Sequence, residues 1–171
     1  MNGGRAMYKE RTWAPPWVWV TMGLACLLSI GPTLYAAYGQ AVLGQPAEDM
    51  STRGLMLLAG GIAVLFALFF SVFMCLDVEV HADHLFIAFG PVHLVRKRIR
   101  YSDIEGVSAV AYRPFRDFGG WGIRWRGRTT AWTLCGNKAV SVDLQSGKAV
   151  YVGSKYPRRL AGRIEAAIGL M

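Results

Sequence analysis

The sequence predicts a membrane α-helical hairpin of two transmembrane helices, followed by an all-β barrel or sandwich that ends in one amphipathic helix. Three observations predict it. Two apolar blocks without a charged side chain, each about 22 residues long, occupy 17–38 and 55–76. From residue 77 onward, short runs alternate apolar with polar residues, and Gly, Asn and Ser separate them. After Pro157 the apolar residues fall at helical spacing.

Composition supports the first element. Apolar residues make up 53% of the 171, charged residues 18%, and mean hydropathy is +0.29. A water-soluble core interleaves apolar with polar positions, whereas an unbroken apolar block needs an apolar solvent. At 1.5 Å per residue, each block reaches roughly 33 Å, enough for a hydrocarbon core of about 30 Å. One Asp, Lys or Arg at the centre would cost about 2.5–3.5 kcal/mol on insertion, so the absence of any is informative. Buried helices of soluble proteins are usually shorter and rarely apolar all round. Pro32 removes one backbone hydrogen bond and predicts a kink in the first helix. Gly60 and Gly61, with Ala59 and Ala63, offer a small-residue patch for close packing against it.

Basic residues set the expected orientation. Arg5, Lys9 and Arg11 precede the first helix, and Arg53 stands between the helices with Glu48 and Asp49. After the second helix come 15 Lys and Arg against eight acidic residues. The positive-inside rule then makes 1–16 a cytoplasmic N-terminal segment, 39–54 an external loop and 77–171 a cytoplasmic domain. The expected location is a bacterial inner or plasma membrane with both termini cytoplasmic. Trp13, Trp17 and Trp19 cluster where the first helix enters, as an interfacial aromatic belt would, with Tyr35 and Tyr38 toward its other end. A cleaved leader is the competing reading of the first block, but the block is longer than the usual leader core and richer in aromatics. Cys26 and Cys75 lie in the apolar blocks and Cys135 stands alone, a scatter without metal spacing or a disulfide framework.

In the C-terminal part, strands are expected at 78–82, 85–89, 92–99, 104–112, 122–125, 131–134, 139–144 and 149–152. Gly119-Gly120, Gly127, Gly136-Asn137 and Ser146-Gly147 supply the turns. Such close spacing predicts antiparallel pairing, because a parallel crossover needs a dozen residues. Pro157 suits a first helical turn, and Leu160, Ile164, Ala167 and Ile168 repeat along one helix face. A run of strands capped by one terminal helix is a pleckstrin-homology-like order.

The layout resembles bacterial membrane proteins with two transmembrane helices and a pleckstrin-homology-like domain. The residues that carry the resemblance begin at Asp103-Ile104 and continue through Arg113-Pro114-Phe115-Arg116-Asp117-Phe118-Gly119-Gly120-Trp121-Gly122-Ile123-Arg124. Gly136-Asn137-Lys138-Ala139-Val140 follows, then Val152-Gly153-Ser154 with Pro157 and Leu160. The resemblance implies a fold and a membrane tether. It implies no catalytic residue and no cofactor.

The densest positive charge is Arg96-Lys97-Arg98-Ile99-Arg100. It reads as a patch for anionic lipid headgroups, as an edge strand charged against aggregation, or as a contact for a protein partner. Strand alternation sends Arg96, Arg98 and Arg100 to one face and Lys97 and Ile99 to the other. Arg124 and Arg126, near Arg113, Arg116 and Arg128, extend the candidate contact surface, with Trp121 as a further interfacial anchor. Arginines interleaved with aromatics also suit nucleic acid. Here membrane topology already accounts for the charge, so no nucleic acid is expected. His81 and His84 flank a turn beside Asp83, short of the three or four ligands that zinc takes. No phosphate loop, nucleophile elbow or intramembrane acid or base is present. The chain therefore reads as a non-catalytic interaction or scaffold module binding lipid or a protein partner, with a homo-oligomer through its helices also open. The alternative is an accessory subunit of a membrane enzyme or transporter.

Overall fold

A computed structural model describes residues 6–44 and 50–170, so Arg5, Glu48 and Asp49 lie outside the described residues. The chain divides into two compact units, Pro15–Ser71 and a second made of Met1–Ala14 with Val72–Met171.

The first unit is a helical pair, α1 (Pro16–Val42) and α2 (Thr52–Phe73), both long and apolar enough to cross a membrane. Pro16 sits at the first helical position, where its missing N–H costs nothing. α1 continues through Pro32. Beside it the Ser29 and Thr33 hydroxyls donate to the carbonyls of Ala25 and Ser29, at 2.7 and 3.1 Å. Trp19 meets Phe70 with ring centroids 5.5 Å apart, and Gln40 holds the far end by donating to the Met50 carbonyl at 2.8 Å. The expected small-residue patch is corrected. Ala59 is buried, but Gly60 and Gly61 are exposed with open space beside them, because they fall on the outward side of α2.

Among the described residues the second unit holds nine strands in two sheets. β1 (Tyr8–Trp13), β2 (Cys75–Val80), β3 (His84–Phe89) and β4 (Val95–Arg100) form one antiparallel sheet in that order. β5 (Ile104–Ala111), β6 (Gly122–Arg126), β7 (Thr129–Thr133), β8 (Lys138–Leu144) and β9 (Ala149–Gly153) form the other, in the order β5-β8-β9-β7-β6. A short helix, α3 (Pro114–Phe118), follows β5, and α4 (Pro157–Ile168) ends the unit. Leu76, Val78 and Ile87 from one sheet and Val140, Val142 and Val152 from the other build the core, which Leu160 and Ile164 of α4 close.

Each of the eight expected strands overlaps an observed one, and three expectations are corrected. The β domain expected at 77–171 also takes in part of the N-terminal segment, since Tyr8–Trp13 pairs antiparallel with β2 from Tyr8↔Val80 to Trp13↔Cys75. The apolar block 55–76 does not end as helix. α2 stops at Phe73, and Cys75 and Leu76 are buried in β2, because apolar composition alone does not separate lipid from protein interior. The pairing is also not wholly antiparallel, since β7 and β9 run parallel. The crossover length that a parallel pair requires is supplied by β8 and its two turns, so a strand does the work usually done by a helix.

Candidate functional site

On β4 the predicted alternation holds: Arg96, Arg98 and Arg100 are exposed, Ile99 is buried and Lys97 is half-buried. Along a strand, alternate residues stand about 7 Å apart. The three guanidinium groups therefore form a row along an edge of the first sheet. Among the described residues none of them is ion-paired, and Arg98 lies over the Phe86 ring at 5.7 Å. Lys97 leaves this row. It sits opposite Ile87 on the core side, where burial, reinforced by Lys148, pushes its ammonium pKa down.

Toward the other edge of that sheet the charges are paired. Asp77 is fully buried and accepts from Arg11 Nε and Nη2, both at 2.6 Å, and from His93 Nε2 at 2.7 Å. Burial pushes the Asp77 carboxyl up, but the hydrogen bonds from Arg11 and His93 outweigh it and hold the pKa below the usual range. His93 comes from the β3–β4 turn with φ +54°, a left-handed conformation that a residue with a side chain adopts at a cost. Lys9 pairs with Glu79 at 2.7 Å on the next rung.

Arg124 and Arg126 are exposed, and both they and the part-buried Trp121 hydrogen-bond within the unit. Arg126 Nη1 donates to the Arg116 and Asp117 carbonyls, at 3.1 and 2.7 Å, which caps the end of α3. Arg124 Nε donates to the Trp121 carbonyl at 3.2 Å. Trp121 Nε1 donates to the Gly136 carbonyl at 2.8 Å and its ring packs on Phe115, 5.0 Å between centroids. Trp121 is thus a clasp between the α3–β6 loop and the β7–β8 turn. Nearby, Phe115 and Trp125 are 69% and 74% exposed, and the sequence reading did not single them out as contacts. Of the other tryptophans, Trp17 and Trp19 lie on α1, while Trp13 ends β1.

His81 and His84 stack with centroids 4.7 Å apart across their turn, and their nearest carboxylates are Glu79 at 3.1 Å and Asp83 at 2.6 Å. Among the described residues no group of three or more His, Cys, Asp or Glu is placed to hold a metal ion. Cys75, expected in a helix, is buried in β2. Cys135 Sγ donates to the Trp13 carbonyl at 3.8 Å.

A concavity lies elsewhere. A cavity of about 560 Å³ opens between the end of β5 and the start of α4, lined by Ala109, Val110 and Ala111 with Lys138, Lys155, Tyr156, Pro157, Arg158 and Arg159. A second, of about 470 Å³, shares Lys138 and Lys155 and extends past Asn137 to Arg11 and Trp13. The wall they share is fixed by Glu10, a buried carboxylate from β1. Glu10 accepts from the Lys155 amide at 2.6 Å, the Ser154 hydroxyl at 2.8 Å and the Tyr8 hydroxyl at 3.1 Å. Sequence reading missed this site because its cations come from β8 and from the entry to α4, which only the fold brings together. Neither a protein-family profile nor a curated protein matches the chain.

Proposed function

We propose that the chain is a non-catalytic interaction module, held at a membrane by α1 and α2, whose β4 arginines engage anionic lipid headgroups on the cytoplasmic side. The observation that carries the reading is the exposed, unpaired row Arg96, Arg98 and Arg100. Each basic group near an anionic surface contributes about 1 kcal/mol. Pairing of β1 with β2 supports a hairpin, because the residues before α1 and after α2 then share one side of any membrane the helices cross. The excess of Lys and Arg in the β unit favours the cytoplasmic side. The same pairing speaks against a cleaved leader, whose removal would take β1 with it. The pleckstrin-homology-like reading rests on a run of strands closed by one terminal helix.

The test is phenylglyoxal labelling of the full-length protein in nanodiscs, with and without phosphatidylglycerol. Labelling of Arg96, Arg98 and Arg100 falls in the anionic discs, and salt restores it. Equal labelling in both discs at low salt rules out lipid contact through β4. The second reading, an accessory subunit of a membrane enzyme or transporter, draws on exposed Phe115 and Trp125, aromatics of the kind that anchor protein interfaces.

A further inference from the structure

Four strands end the two sheets, and three of them are guarded. β1 carries Lys9, Glu10 and Arg11, β4 carries four cations in six residues, and β6 carries Arg124 and Arg126. Charges on an edge strand discourage a further strand from adding. β5 differs. Over 106–111 it reads Gly-Val-Ser-Ala-Val-Ala, without charge or proline, and its register irregularity is confined to Ile104/Gly106. Among the described strands β5 pairs only with β8, and although α4 packs against β5, Ser108, Ala109 and Ala111 are exposed, so part of its other side offers unpaired backbone donors and acceptors.

The exposed end of this edge borders the 560 Å³ cavity at the start of α4. Among the described residues, Lys138, Lys155 and Arg158 on its wall form no ion pair with a carboxylate. Tyr156, 52% exposed, and Pro157 add an apolar surface. The geometry points to a docking site in which an extended segment of a partner protein, bearing Asp or Glu, adds to β5 as a further strand. Its backbone completes the ladder, and alternate side chains reach the cations in the cavity. The site is separate from the β4 arginines, so it stands or falls independently of the lipid reading.

The probe is a capped peptide of roughly eight residues alternating Glu and Val, a length that matches a typical strand. A control has the same charges with proline in place of two valines. Both are added to the full-length protein in zwitterionic detergent, and amide exchange is read by mass spectrometry. The alternating peptide slows exchange across 106–111 about tenfold or more, and the proline peptide does not. The variant Ala109→Pro removes this protection. Because that change risks unfolding β5, the exposed pair Lys138→Glu with Arg158→Glu is tested beside it, and it weakens the peptide about tenfold at an unchanged circular dichroism spectrum. Any of three results overturns the proposal: equal binding of the two peptides, slowed exchange away from β5, or equal slowing of 106–111 by phosphatidylglycerol micelles without peptide.

Discussion

Asp77 carries the sharpest single-residue consequence. Its carboxylate is buried with three hydrogen bonds from two cationic or potentially cationic side chains. Replacing it with Ala leaves Arg11 without its partner and His93 without the bond that holds its left-handed turn. Asp77→Ala therefore lowers stability by about 2–3 kcal/mol, read from the thermal or denaturant midpoint. The pH dependence has a definite sign. Because the folded-state pKa lies below the unfolded value of about 3.9, the stabilisation is complete above that pH and drains away as pH falls through it. Asp77→Asn flattens that acid limb. Tyr101 governs the opposite limb. Its hydroxyl donates to the His81 and His84 carbonyls at 2.6 and 3.0 Å, and burial pushes its pKa up to about 12. Stability that is full below the ordinary tyrosine pKa near 10 is lost as pH rises toward 12, and Tyr101→Phe makes that loss shallower while costing about 1–2 kcal/mol at neutral pH.

At the scale of the element, edge chemistry explains both what was legible and what was not. The β4 arginines were readable because side chains alternate with a period of two, a local property. β1 was not, because its core-side residues are Tyr8, Glu10 and Thr12, which give no apolar pattern. What holds it is distant: Asp77, Glu79, the Ser154 hydroxyl and the Lys155 amide. The one available signal was that Lys9 and Arg11 face Glu79 and Asp77 in a single antiparallel register. α3 escaped notice because five residues are too few for a helical period to emerge. Lys97 supplies an element-scale prediction. A charge turned inward on an edge strand weakens the strand while blocking association through it. Lys97→Val raises the thermal midpoint, by about 0.5–1 kcal/mol in stability, and increases self-association measured by light scattering. A lower midpoint with no change in association would contradict that role.

For the molecule as a whole, the two units were predicted in kind, but their connection was not. Sequence order suggested an N-terminal segment, a hairpin and then a separate domain. In the structure the helices interrupt the β unit between two neighbouring strands, with Trp13 and Cys75 as the last paired rung and the Ala14 amide donating to the Met74 carbonyl at 3.0 Å. A chain in which 14–74 is replaced by Asn-Gly, a dipeptide suited to a two-residue hairpin, is therefore expected to fold as a soluble β unit. Size-exclusion chromatography and dispersed amide NMR spectra check this. Aggregation of that chain, alongside a well-behaved chain beginning at residue 77, would show β1 to be dispensable. The β1–β2 seam also ties folding to biosynthesis. On the membrane placement proposed above, β1 leaves the ribosome first, and α1 and α2 both follow before its partner exists. If α2 failed to return across the bilayer, the two halves of the seam would be stranded in different compartments and the sheet would lack a border. On that placement, completion of the sheet would then report that both helices had crossed.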